Sequence, residues 1–232
     1  MFGTRWQKVF TDLWRNRART LVVALAIGVG VYAVGGVINT REILIREFER
    51  GQERARPAQA IVRTTPFDSD FAERIARMPG VAVAEGRNVV QARTVEVDGQ
   101  GDDVAIVSVP NFAEMNVDAV NPLQGSFPPG DREIVLERLA LEELDLQVGE
   151  RLTLEMGSGA IKELTISGAV HDPQQLVPEI VGVTFGYVTP ETMGLLGESE
   201  LFTELRLRVE GDGEDGQHVQ AILDGVEEQI ED

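Results

Sequence analysis

The feature that most limits how this chain can fold is an uninterrupted apolar run near its amino terminus. Residues 21–38, LVVALAIGVGVYAVGGVI, are all apolar or glycine, and no charged residue occurs from position 20 to position 40. At about 1.5 Å per helical residue, positions 20–40 match a hydrocarbon core of roughly 30 Å, so the run predicts a transmembrane helix over 20–40. A cleaved signal peptide is the first competing reading, with Ala33, Val34 and Gly35 as a small-residue site. Against it, the polar leader is long and the apolar stretch exceeds the usual length of roughly 7 to 15. A buried helix of a soluble domain is the second. Gly28, Gly30, Gly35 and Gly36 would weaken such a helix in water but are tolerated in lipid.

Charge orients the span. Arg5, Lys8, Arg15, Arg17 and Arg19 against Asp12 alone give residues 1–40 a net +4, leaving −22 for residues 41–232 out of a chain total of −18. Beyond the span, Arg41, Arg46 and Arg50 are interleaved with Glu42, Glu47 and Glu49. The positive-inside rule therefore places the amino terminus in the cytoplasm and everything after about position 40 outside, with the chain in the cell membrane.

In residues 1–19, Phe2, Trp6, Val9, Phe10, Leu13 and Trp14 recur at helical spacing among the cations. The pattern predicts a basic amphipathic helix on the inner membrane surface. Trp6, Phe10, Trp14, Arg15, Arg17 and Arg19 are its expected contacts with membrane lipid, and docking of a cytoplasmic partner is a further reading of the same helix. Within the span, Ala24 with Gly28 and Ala26 with Gly30 form small-xxx-small pairs that would let a second helix approach.

The composition excludes several classes. With no cysteine and only His171 and His218, thiol chemistry, disulfides and the common zinc sites are ruled out. So acidic a chain is not expected to bind nucleic acid. No P-loop, G-x-S-x-G, H-E-x-x-H or dinucleotide fingerprint occurs, so ATP hydrolysis is not expected on this chain. The acidic turns at 98–103 and 210–216 lack calcium-loop spacing and read as solvated. His171, followed by Asp172 and Pro173, lacks a nucleophile that the sequence would place beside it. No catalytic residue, cofactor or metal is expected.

The outer region reads as α+β. A charged amphipathic stalk helix is expected over 41–56, ending at Pro57. A strand over 59–65 and a helix over 68–78 come next, the helix capped by Asp68 or Ser69 and stopped at Pro79-Gly80. One or two strands are expected in 81–97, then a hairpin through Asp98-Gly99 into a strand over 104–109. After a loop-rich middle come a strand and short helix over 132–144. Strands are then expected over 151–156, 162–170, 180–188 and 202–209, with a helix start at Thr189-Pro190 and a last amphipathic helix over 215–230. A βαβ-type beginning and a strand–helix ending around a β-rich middle suggest a split domain with an insertion.

Three stretches carry a family resemblance. Residues 8–31, KVFTDLWRNRARTLVVALAIGVGV, resemble the first membrane helix of FtsX-like, MacB-type ABC transporter permeases. Residues 123–154, LQGSFPPGDREIVLERLALEELDLQVGERLTL, and 163–173, ELTISGAVHDP, resemble that family's periplasmic core domain. Ser126 stands where the family commonly has arginine, and residues 164–166 replace an aromatic-led strand. The resemblance implies a "porter" part over 57–110 and 175–232, with a β-rich "sabre" part inserted over 111–174. It also implies a non-catalytic permease that turns ATP hydrolysis by a separate cytoplasmic ABC ATPase into mechanical work on cargo or partner proteins. Expected partners are that ATPase, a second permease copy or paralogue, and a periplasmic adaptor or substrate protein. The family's later membrane helices have no counterpart after position 38, which reads as the amino-terminal part of a longer permease. A single-pass anchored binding or scaffold domain and an extracytoplasmic enzyme are the alternative classes.

Overall fold

The computed structural model describes residues 21, 22, 25–29, 32, 55–95, 101–175 and 178–231. The chain divides into two units, Met1–Arg50 and Gly51–Asp232. In the first unit every described residue is helical and exposed, with Leu21, Val22, Leu25, Ile27, Val29 and Tyr32 between 59% and 83% accessible. Among the described residues no helix is long and apolar enough to cross a membrane. The span expected over 20–40 lies mostly outside those residues, as do the whole leader and all of the stalk but its last two positions.

The second unit is a mixed α+β domain. Its strands are β1 (Ala60–Phe67), β2 (Val81–Thr94), β3 (Asp103–Ser108), β4 (Asn121–Gly125), β5 (Glu133–Glu137), β6 (Arg151–Met156), β7 (Ile161–His171), β8 (Val183–Val188) and β9 (Phe202–Val209). Its helices are α1 (Ser69–Ala76), α2 (Arg138–Glu143), α3 (Pro178–Val181), α4 (Pro190–Leu196) and α5 (Gly216–Glu231). Local chemistry explains several of these boundaries. Asp68 caps α1 by accepting from Phe71 N–H, and Thr189 caps α4, where Pro190 opens the first turn and Gly197 closes the helix in a left-handed conformation.

Two layers share the long strand β2. In the first, β9 lies antiparallel between β1 and the start of β2. Its apolar face (Val62, Phe67, Val81, Leu205 and Leu207) is covered by α1 and α5 through Ala72, Ile75, Ile222 and Val226. The second layer closes on itself. β2 pairs with β3, β3 with β8, β8 with β5, β5 with β7, β7 with β6, and β6 returns to β2 through Ala92–Met156 and Thr94–Leu154. The result is a six-stranded barrel filled by Ile106, Ile134, Leu136, Leu154 and Ile166, and closed by Ala140 of α2 and Met193 and Leu196 of α4. β4 adds to the edge of β7.

In the second unit the expected elements are present, with two differences. Residues 81–94 form one 14-residue strand, as one of the two expected arrangements has it, long enough to serve both layers; the middle expected to be rich in loops also holds β4. The strand expected over 180–188 begins only at Val183. Residues 178–181 make a helical turn instead, and Gly182, at φ 69°, supplies the left-handed break between turn and strand. The hairpin turn expected at Asp98-Gly99 lies outside the described residues, but the strands it would join are antiparallel neighbours.

Candidate functional site

The face of the β1–β9–β2 sheet turned away from α1 and α5 is charged. Directly paired residues on antiparallel strands project to the same side. One row therefore reads Ile61, Arg206, Glu85, and the next reads Arg63, Glu204, Arg87. Signs alternate both along and across the strands, so neighbours attract instead of repelling. Arg63 Nε lies 3.1 Å from Glu204 Oε1, Arg206 Nη2 lies 3.4 Å from Glu204 Oε2, and Arg87 Nη2 lies 2.8 Å from Glu85 Oε2.

The β2–β9 part of this lattice is covered by the linking loop, residues 109–120, which leaves β3 and returns to β4, while Arg63 and Ile61 of β1 stay exposed. Its apolar side chains Phe112, Met115 and Val120 pack on the outer surface of the barrel against Val107, Val135, Val170 and Tyr187. Its backbone and Asp118 bind the lattice. Arg87 donates to Val117 O at 3.0 Å, Asn116 N–H donates to Glu85 Oε1 at 2.7 Å, and Arg206 Nη1 donates to Asp118 Oδ2 at 2.8 Å. Arg87 is only 1% exposed. Burial lowers its pKa from the ordinary guanidinium value and the Glu85 carboxylate opposes that shift, so the side chain stays a cation with its counter-charge beside it.

A second polar cluster lies on the barrel's outer wall. Asp172, 3% exposed, accepts hydrogen bonds from the Tyr187 hydroxyl, from Gln174 N–H and from Gln175 Nε2. Burial raises the Asp172 pKa against those donors, while burial and the adjacent carboxylate push the Tyr187 phenol well above its ordinary range. Next to it, Glu137 caps α2 by accepting from Leu139 N–H. His171 Nδ1 lies 3.3 Å from Glu137 Oε1 and 3.5 Å from Arg138 Nε, donating to the one or accepting from the other according to tautomer.

Tyr187 is a buried donor, and the His171–Glu137 contact lies apart from two grooves on the domain. One, of about 310 Å³, runs beside Phe67, Phe71, Arg74, Leu201 and Ile230. The other, of about 320 Å³, lies between α1 and the linking loop beside Glu73, Glu85, Glu114 and Asn116. Among the described residues no group of three or more His, Cys, Asp or Glu side chains is placed to hold a metal ion. The buried ion pairs of the lattice resist being separated, because parting them strands a charge away from water, although Arg206 Nε is itself buried without a hydrogen-bond partner.

The residues singled out from the sequence lie elsewhere. Trp6, Phe10, Trp14, Arg15, Arg17, Arg19, Ala24 and Gly30 fall outside the described residues. Ala26 and Gly28 are helical and exposed, and a Cβ at Gly28 would meet nothing within 4 Å. The lattice was missed. Its signal is the alternation of Glu204, Arg206 and Arg208 with Leu205, Leu207 and Val209, which by itself reads as an ordinary solvated strand face.

No family model and no curated protein matches the chain. Among solved structures it is similar to the extracellular domain of a noncanonic ABC-type transporter, YknZ, from Gram-positive bacteria. The identity is 10%, the TM-score is 0.48, and the match covers 70% of this chain and 86% of that one. It is also similar to the periplasmic region of MacB from Actinobacillus actinomycetemcomitans, at 10% identity and a TM-score of 0.48, over 78% of this chain and 89% of that one.

Proposed function

We propose that this chain is a permease subunit of an FtsX/MacB-type ABC transporter. A helix over 20–40 spans the membrane, and the domain after it works outside, coupling ATP hydrolysis by a separate cytoplasmic ATPase to movement of cargo or partner proteins. A second permease copy or paralogue and a periplasmic adaptor or substrate protein complete the assembly in this reading. The leader, through Trp6, Phe10, Trp14, Arg15, Arg17 and Arg19, lies on the inner membrane surface, and Ala24, Ala26, Gly28 and Gly30 face another helix.

The observation that carries the proposal is the split layer. β1, α1 and the start of β2 come from the front of the domain, β9 and α5 from its end, and they share one core around the inserted barrel. This is the order that the sequence resemblance implies for a porter part interrupted by a sabre part. In the proposed division the porter part is 57–110 and 175–232 and the sabre part 111–174, with β3 and β8 of the porter part joining the two by completing the barrel. Two further facts support the reading: the buried charges of the lattice are paired with one another, and the described residues of 21–32 expose apolar side chains of the kind lipid solvates.

Topology tests the proposal directly. The chain has no native cysteine, so Gln7→Cys and Gln100→Cys report cleanly. In intact cells a membrane-impermeant maleimide should label Gln100→Cys and spare Gln7→Cys until the membrane is opened. Labelling of Gln7→Cys in intact cells would overturn the orientation and with it the coupling to a cytoplasmic ATPase.

A further inference from the structure

The domain's first described residues, 55–58, are not a loose tether. Ala119 N–H donates to Ala55 O at 2.7 Å and Asp118 N–H donates to Arg56 O at 3.0 Å. Ala58 N–H in turn donates to Asp118 Oδ1 at 2.8 Å, while the other carboxylate oxygen holds Arg206 of β9. Arg56 Nη1 reaches Asn116 Oδ1 at 2.9 Å. Ala55 is fully buried and Asp118 is 7% exposed. Arg56 and Asp118 both sit in the left-handed region, at φ 49° and 47°. Residues other than glycine seldom adopt it unless their surroundings hold them there.

Three parts of the molecule thus meet at one carboxylate: the lead-in to β1, the linking loop that packs on the barrel, and the charged face of β9. Each Asp118 oxygen is occupied by an internal donor, so the carboxylate serves the protein's own architecture and offers no ligand site. We propose that Asp118 is a positioning residue, a pin that makes the lead-in segment, the linking loop and β9 move as one body. A displacement arriving along the chain at residue 55 then reaches the sheet and the barrel together instead of being taken up by slack at the junction. That the pin carries a transport stroke rests on the permease reading; that it fastens the junction does not.

Amide hydrogen exchange on the full 232-residue chain separates the two. Asp118→Asn keeps the shape and tolerates the left-handed conformation, but its amide group can satisfy only one of the two donors. Asp118→Gly keeps the conformation and satisfies neither. Exchange over 55–58 and 116–120 should rise roughly tenfold or more in the glycine variant and less in the asparagine variant. Amides of β5, β6 and β7 should keep their native rates. Unchanged exchange at the junction would overturn the proposal. So would an equal rise at the junction and in the barrel, which would make Asp118 a residue of general stability. Neither result would bear on the membrane topology that tests the permease reading.

Discussion

Gly186 of β8 supplies the sharpest test of the closed barrel. A Cβ built there would lie 2.5 Å from Ile134 Cδ1, 2.9 Å from Leu136 Cδ2 and 3.0 Å from Ile134 Cγ1. Ile134 and Leu136 are fully buried, and carbon atoms pack comfortably only at about 3.5–4.0 Å. Gly186→Ala therefore forces a methyl into an occupied interior, at a cost of about 1–3 kcal/mol. Against this, the smaller entropy of the unfolded alanine chain returns about 0.4–1 kcal/mol. The middle of the two ranges leaves a net loss of about 1.3 kcal/mol. Ile134→Val removes Cδ1, the closest atom, and by itself costs about 0.5–1.5 kcal/mol. In the double variant that clash is gone while the Leu136 contact remains, so the two losses should fall short of their sum by about 1 kcal/mol, beyond the ~0.5 kcal/mol scatter of independent sites. Urea unfolding followed by far-ultraviolet circular dichroism is the suitable assay. Both tryptophans, Trp6 and Trp14, lie in the leader, so their fluorescence would not report on the domain. A neutral Gly186→Ala, or additive losses, would refute a filled interior bounded by β8 and β5.

The polar clusters lead to two other expected outcomes. The Asp172 pKa is raised in the folded state, so the native protein holds that proton more tightly than the unfolded chain. Stability from this group falls as pH rises from the unfolded value through the raised native one and is level above it. The stability of the parent relative to Asp172→Asn should therefore decline with pH across that window, measured as urea midpoints from pH ~4 to ~8; a difference that grows or stays flat would contradict the assignment. Arg87→Met leaves the Glu85 carboxylate without its cation and Val117 O without its donor, and should cost about 3–5 kcal/mol in the same unfolding assay. A loss below ~1 kcal/mol would show that the lattice face is open to water.

Much of the secondary structure was legible because its signals are local. Asp68 before an amphipathic run, Thr189-Pro190, and the alternation in residues 151–156 and 202–209 each specify an element within a few residues. Residues 180–182 were misread as strand because an apolar stretch suits a helical turn or a strand equally, and the left-handed Gly182 divides the two. The lattice was hidden for a related reason. Glu85, Arg87, Glu204 and Arg206 carry the same alternation as a strand facing water, and only the loop folded over them removes the solvent.

The chain's own pattern settled the apolar character of 21–38, the sign of charge on each side of it, and the α+β alternation of residues 57–232, since each depends on neighbours within one helical turn or one strand. Tertiary structure alone decided that β6 returns to pair with β2, that β3 and β8 lie parallel, and that Asp118 meets both Ala58 and Arg206. Those contacts join residues roughly 60 to 90 positions apart. An open sheet and a closed barrel share the same period-two alternation, so closure is selected only when distant strands find a common interior to fill.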